Sequence, residues 1–156
     1  MMKTYNFYDT SSLLLRANNL FNDPEENIII SNITLQELEH IKTSRKDENI
    51  KNSARKLTKL LEENFDKFTV YFYHSSYAQF LQDGFSDLNN LSNDEKILAC
   101  ALAYDKNEHP DETYFVTNDI NLALFANLFF GQDSVLRVYP EEDEYLGYSL
   151  IDLTDE

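Results

Sequence analysis

Cysteine, glycine, proline and tryptophan are all scarce in this chain of 156 residues, which holds one Cys, three Gly, three Pro and no Trp. A single cysteine excludes an intramolecular disulfide. Its place in the apolar run ILACALA marks Cys100 as a buried thiol rather than a nucleophile. So few glycines and prolines exclude a collagen-like or linker-like chain. No apolar run approaches the ~18 residues of a membrane span. The N-terminus has a single lysine ahead of polar and aromatic residues, so no signal peptide is read there, and a cytoplasmic protein with no membrane partner is expected. There is no Gly-rich phosphate-binding loop. His40, His74 and His109 show no metal-ligand spacing and read as surface or loop histidines.

Positive charge is scarce as well. Lys and Arg number 13 against 28 Asp and Glu, a formal net charge of −15. That balance argues against a simple nucleic-acid coat, which needs cations facing phosphate. Two readings remain: a solvated acidic surface, or a site where a few of the carboxylates hold a divalent cation.

What is present is a globular composition, 42% hydrophobic, long enough for one domain with one core. Residues 5–8 read as a first strand that ends at Asp9, and SSLLLRANNLF (11–21) reads as the helix after it. Ile28 to Ile30 is a short β-branched run suited to a sheet covered on both faces. Thr34 to Glu37 has the form of a capping box opening a helix to about Lys42. Ile50, Ala54, Leu57, Leu61 and Phe65 recur at helical spacing. Phe68 to Tyr73 reads as a third strand, 75–91 is ambiguous, and Ser92 to Glu95 is a second capping box, opening a helix to about Tyr104. Thr113 to Thr117 and Ser134 to Tyr139 read as further strands, with a helix from Ile120 to about Phe129 between them. An acidic tail from about 140 carries a last apolar patch, Tyr145 to Leu153, as one more strand or a strap. Helices alternating with strands imply a mostly parallel sheet of about five strands, covered on both faces and joined by right-handed crossovers.

Four acids fall at corresponding places in this pattern: Asp9, Glu37, Asp94 and Asp119. Asp9 and Asp119 each end a strand and open a helix, and Glu37 and Asp94 lie in first turns of helices. In a doubly wound sheet these positions share one edge, so distant acids can meet there. Clustered carboxylates are supportable only with cations, and hard oxygen ligands suit Mg²⁺ or Mn²⁺. Taken singly, each acid is also accounted for by capping or by the helix dipole.

The same stretches resemble the motifs of PIN-domain nucleases: YDTSSLLL the first, ITLQELEHIK the second, SNDEKILACAL the third and VTNDINLAL the fourth. QELEHIK, VTNDINL and the tail DEYLGYSLIDL are similar in wording to the PIN domain found in front of PhoH-like ATPases. The resemblance implies a PIN-like three-layer α/β/α sandwich and metal-dependent endonucleolysis of single-stranded RNA with Mg²⁺ or Mn²⁺. Asp9, Asp94 and Asp119 would be the main metal ligands, and Glu37 a ligand or an orienter of the attacking water. Ser11, Thr117 and Asn121 would be supporting or substrate contacts. No ATPase phosphate loop occurs, so no helicase-like activity is expected.

Seven of the cations lie between Lys42 and Lys59, and Lys51, Arg55 and Lys59 share one helix face. This island is a candidate RNA backbone track, or else a solvated face with pairs such as Lys59–Glu63. The expected function is a metal-dependent endoribonuclease with RNA as partner, in the setting of a toxin–antitoxin pair or of RNA processing. An antitoxin-like protein or a second copy of the chain are candidate partners. The rival readings are a non-catalytic PIN-like module that binds RNA or protein, and an acidic decoy that mimics nucleic acid.

Overall fold

The computed structural model describes residues 2–44, 47–85 and 87–139. Five strands are present in it: β1 (Thr4–Tyr8), β2 (Asn27–Ser31), β3 (Phe68–Tyr71), β4 (Glu112–Thr117) and β5 (Val135–Arg137). The helices are α1 (Thr10–Arg16), α2 (Asn32–Thr43), α3 (Glu48–Glu63), α4 (Asn93–Glu108) and α5 (Ile120–Phe130). The strands form one sheet in the order β3-β2-β1-β4-β5, and every pair is parallel.

The layers follow from the period of two along the strands. Phe7, Ile29 and Phe115 face a core shared with Ile97, Leu98 and Cys100 of α4 and Leu122 and Ala126 of α5. Tyr8, Ile28, Ile30 and Val116 face the other way, onto Leu13 of α1, Leu38 of α2 and Ala54, Leu57 and Leu61 of α3. β2 is buried on both faces, which is why Ile28 to Ile30 is a continuous apolar run rather than an alternation. The expected α/β sandwich with a five-stranded parallel sheet is what the chain forms.

Topology fixes where a site can be. The chain steps outward from β1 to β3, then returns to place β4 on the far side of β1. The direction reverses between β1 and β4, and ligand crevices in open α/β sheets lie at the carboxyl ends of such strands. Asp9 follows β1, and Thr117 ends β4.

Several boundaries differ from the sequence reading. The Thr34–Glu37 capping box does not form. Ser31 caps α2 instead, its hydroxyl accepting from the Ile33 N–H at 3.1 Å, so the helix opens three residues earlier and Glu37 lies inside it. The second box does form: Ser92 Oγ accepts from the Glu95 N–H at 3.2 Å, and Glu95 accepts from the Ser92 N–H at 2.7 Å. α1 stops at Arg16, where the Arg16 carbonyl takes the Asn19 N–H at 3.0 Å in a turn and Nε of Arg16 bonds Asn19 Oδ1 at 3.2 Å. α4 continues a turn beyond Tyr104 to Glu108 and ends on His109 in the left-handed conformation, φ 50°. β3 ends at Tyr71 and β5 spans only Val135–Arg137, both shorter than expected. The ambiguous stretch begins with a 3₁₀ helix, Ser75–Leu81. On α3 the helical stripe is narrower than its apolar spacing suggested: Ile50 is exposed, and Phe65, 75% exposed, lies beyond the helix. The acidic tail with its Tyr145 to Leu153 patch, and Arg45 and Lys46 of the basic island, lie outside the described residues.

Candidate active site

Asp9 is held by both central strands. Its N–H donates to the Val116 carbonyl at 3.0 Å, continuing the β1–β4 ladder by one residue. Its carboxylate caps α1, accepting from the Ser12 N–H at 2.8 Å. Ser11 Oγ donates to the same carboxylate at 2.9–3.0 Å and Thr117 Oγ1 donates to it at 2.5 Å. An ionised carboxylate offers about four lone-pair directions, so three donors leave room for one further bond. Asp9 is only 1% exposed. Burial pushes its carboxyl group above the usual range, against the pull of the hydrogen bonds from Thr117, Ser12 and Ser11.

Thr117 joins Asp9 to Asp119. While its hydroxyl donates to Asp9, its oxygen accepts from the Asp119 N–H at 3.0 Å. Asp119 caps α5, accepting from the Asn121 and Leu122 N–H groups at 2.9 and 3.2 Å. Ser11 Oγ in turn accepts the Asn118 N–H at 3.1 Å, so the turns after β1 and β4 are laced together. Asn121 contributes its main-chain N–H, and its side chain makes no hydrogen bond among the described residues.

Glu37 reaches this edge from the first half of α2. Thr10 Oγ1 donates to Oε1 at 2.5 Å, and Asn93 Nδ2 lies 3.5 Å from Oε2. Thr10 has one proton and an ionised Glu37 can only accept. The buried Thr34 hydroxyl, 3.1 Å from Thr10 Oγ1, therefore donates into the pair. Glu37 is thus not spent on capping α2, the role its place in the sequence suggested.

Asp94, in the first turn of α4, reports on the whole group. Although exposed as a residue, its carboxyl group is pushed up to about 6 by burial, then by the charges of Glu37, Asp9, Asp119 and Glu95. Three of those four neighbours are the other sequence-expected acids. The four chain connections accordingly bring their carboxylates to one edge. They do not form a closed ligand cage: among the described residues no three acidic, His or Cys side chains stand together as a ready metal cluster. A cleft of about 610 Å³ lined by Gln36, Glu37, His40, Ile41 and Asn93 opens beside Glu37. Another, of about 360 Å³, includes Tyr5, Asn27 and Phe68 and lies at the opposite, amino-terminal edge of the sheet, away from these acids.

The sequence reading did not single out Thr10, Thr34 or Asn93 as partners of Glu37, or Ser12 as an anchor of Asp9. The signals were adjacency: Thr10 follows Asp9, and Asn93 precedes Asp94. The α3 cations are partly occupied. Lys51 Nζ lies 3.1 Å and Arg55 Nη1 3.8 Å from Glu48. Lys59 is exposed and has no ion pair among the described residues, so the Lys59–Glu63 pair is not made.

A family model for the PIN domain matches residues 7–129. This chain belongs to the PIN-domain family. PIN domains are in general metal-dependent nucleases and typically use divalent ions. Among solved structures, this PIN domain is similar to a domain of a functionally unknown protein from Methanocaldococcus jannaschii DSM 2661, at 18% identity and a TM-score of 0.55, covering 90% of this chain and 94% of that one. It is also similar to VapBC2 from Rickettsia felis, solved bound to a DNA fragment from its promoter, at 20% identity and a TM-score of 0.51, covering 79% and 94% of the two chains. No curated protein matches it in sequence.

The residues suit a divalent ion in chemistry. The donors are all hard carboxylate oxygens, and Asp94, raised first by burial, is raised further by the charges of Glu37, Asp9, Asp119 and Glu95, which a cation would offset. Mg²⁺ is usually held by one or two carboxylates with several waters retained. An open acidic edge meets that need without a closed cage.

Proposed function

We propose that this PIN domain is a Mg²⁺- or Mn²⁺-dependent endoribonuclease that hydrolyses phosphodiester bonds of single-stranded RNA. What supports the reading is that Asp94, raised first by burial, also feels the charges of Glu37, Asp9 and Asp119, three acids from three other connections at the switch point of the sheet. Asp9, Asp94 and Asp119 would hold the ion, and Glu37 would bind it or orient water. Bound there, the ion would supply a Lewis acid for the phosphoryl oxygens and lower the pKa of a water. The chain's own part is positional. Thr117 and Ser11 hold Asp9, and Thr10 and Asn93 hold Glu37. The resemblance of its four motifs to those of PIN-domain nucleases supports RNA as the substrate class. An antitoxin-like protein partner and self-association remain part of this reading; the likeness to VapBC2 is one of fold.

The test is cleavage of a labelled single-stranded RNA with Mn²⁺, with chelator, and in Asp9→Asn and Asp94→Asn proteins of unchanged fold. Metal-dependent cleavage lost in both variants is expected; cleavage that survives both would falsify the assignment. The lack of a ready three-acid cluster among the described residues favours one alternative, a PIN module that binds RNA or protein without cutting. It predicts binding indifferent to Mn²⁺ and to Asp9→Asn, and no turnover.

A further inference from the structure

Arg137 ends β5 in register with Thr117, at the edge where the four acids stand. Its Nη2 donates to the Asn118 carbonyl at 3.0 Å, and the Asn118 N–H donates to Ser11, the partner of Asp9. The guanidinium is therefore fixed on the turn that carries Asp119. Little in the fold rewards it for being there. Among the described residues that one hydrogen bond is all it makes, no carboxylate pairs with it although acids outnumber cations 28 to 13, and its Nε is closed from solvent with no acceptor. It also stands near the N-terminal end of α5, where the helix dipole disfavours a cation. A buried donor left unpaired and a charge at the wrong helix end are costs that folded proteins accept mainly where function requires them. Two residues on, Tyr139 is 65% exposed, and the Arg137 guanidinium lies over its ring, 5.4 Å from the centroid.

Resting on the ribonuclease reading, we propose that Arg137 and Tyr139 hold one nucleotide of single-stranded RNA beside the carboxylates, the guanidinium on a backbone phosphate and the tyrosine ring against the base. A polyanion approaching an edge of acids in a protein of charge −15 meets repulsion, and a fixed cation at that edge offsets it. The Nη N–H groups not used on Asn118 have the planar geometry that matches phosphate oxygens. The ring offers a stacking surface to any base, so the contact reads the backbone and an unpaired base rather than a sequence. On α3, by contrast, Lys51 and Arg55 already face Glu48.

The experiment measures binding of a short fluorescein-labelled oligouridylate to the metal-free protein at several salt concentrations. Arg137→Gln is expected to weaken binding about tenfold at low salt and to flatten the slope of log affinity against log salt by about 0.7, the signature of one lost phosphate contact on a single strand. Arg137→Lys keeps the slope. Tyr139→Ala weakens binding about tenfold or more with the slope unchanged, since a stacking contact releases no counterion. An unchanged slope in a folded Arg137→Gln protein overturns the phosphate contact, and wild-type affinity in Tyr139→Ala overturns the stacking contact. Should Arg137→Gln fail to fold, Tyr139→Ala, altered at an exposed side chain, still decides. A protein that cuts RNA but ignores both substitutions refutes this contact alone. A protein that binds RNA through both residues yet never cuts it refutes the nuclease assignment alone.

Discussion

Removing the Asp94 charge should make the metal-free protein more stable while disabling it. The Asp94 carboxyl is raised from 3.8 to about 6. At about 1.36 kcal/mol per unit, that is about 3 kcal/mol of unfavourable interaction when ionised, before screening. Asp94 is exposed, and solvent screening at such positions reduces this to about 1 kcal/mol. The sign follows from linkage. Between about pH 4 and pH 6 the folded protein keeps a proton that the unfolded chain has released, so folding stability falls as pH rises through that window. The penalty is absent below it and complete above it. Asp94→Asn removes the penalty. Its melting temperature, compared with wild type in chelator, should rise by about 2–4 °C at pH 7.5 and by nothing at pH 4. Taking the difference between the two pH values cancels any pH-independent effect of the amide. Excess Mn²⁺ should then reverse the order, because the native state with all four acids gains more from the ion. A variant whose advantage is zero or negative at pH 7.5 relative to pH 4 would refute the claim that burial and neighbouring like charges penalise the ionised Asp94 carboxylate.

Thr10→Val keeps the size of a buried side chain but removes the hydroxyl that donates to Glu37. Loss of an outer-shell hydrogen bond of this kind should weaken Mn²⁺ binding, read by calorimetry, about 10- to 100-fold, with Thr10→Ser close to wild type. Equal affinities in Thr10→Val and wild type would mean that Glu37 plays no part at the ion. Reversing charge at Lys51, Arg55 and Lys59 should lower RNA affinity at about 50 mM salt and leave the difference small at about 200 mM if α3 carries part of the backbone. Unchanged affinity at low salt with an intact melting curve would assign that face to solvent. Arg16→Met leaves Glu26, 9% exposed and bonded to Tyr8 and Asn6, without its cation, and should cost about 3 kcal/mol in urea unfolding at pH 7 with no change in cleavage per folded molecule. A loss below about 1 kcal/mol would show that the Tyr8 and Asn6 hydrogen bonds suffice for Glu26.

What was legible in the sequence, and what was not, divides along one physical line. The layers were legible because burial is written in single positions: Phe7 against Tyr8, Ile29 against its two neighbours, Ala54, Leu57 and Leu61 at helical spacing. The Ser92 box was legible because both of its partners are local. The Thr34 box looked equally good and failed, because Ser31 stands closer to the strand end and Thr34 is needed elsewhere, buried against Thr10 across 24 positions of sequence. Hydrogen bonds of that span have no local pattern. The Thr117–Asp9 bond bridges 108 positions and the Ser11–Asn118 bond 107, and they exist only because the sheet sets β4 beside β1. The acids could be named from their places at strand and helix ends, whereas the hydroxyls and amides that aim them could not. Arg137 carries no local pattern either. Seven cations crowd the sequence between Lys42 and Lys59, but crowding in sequence is poor evidence of proximity to a site. A single cation on β5, level with Thr117, stands at the carboxylate edge by topology alone.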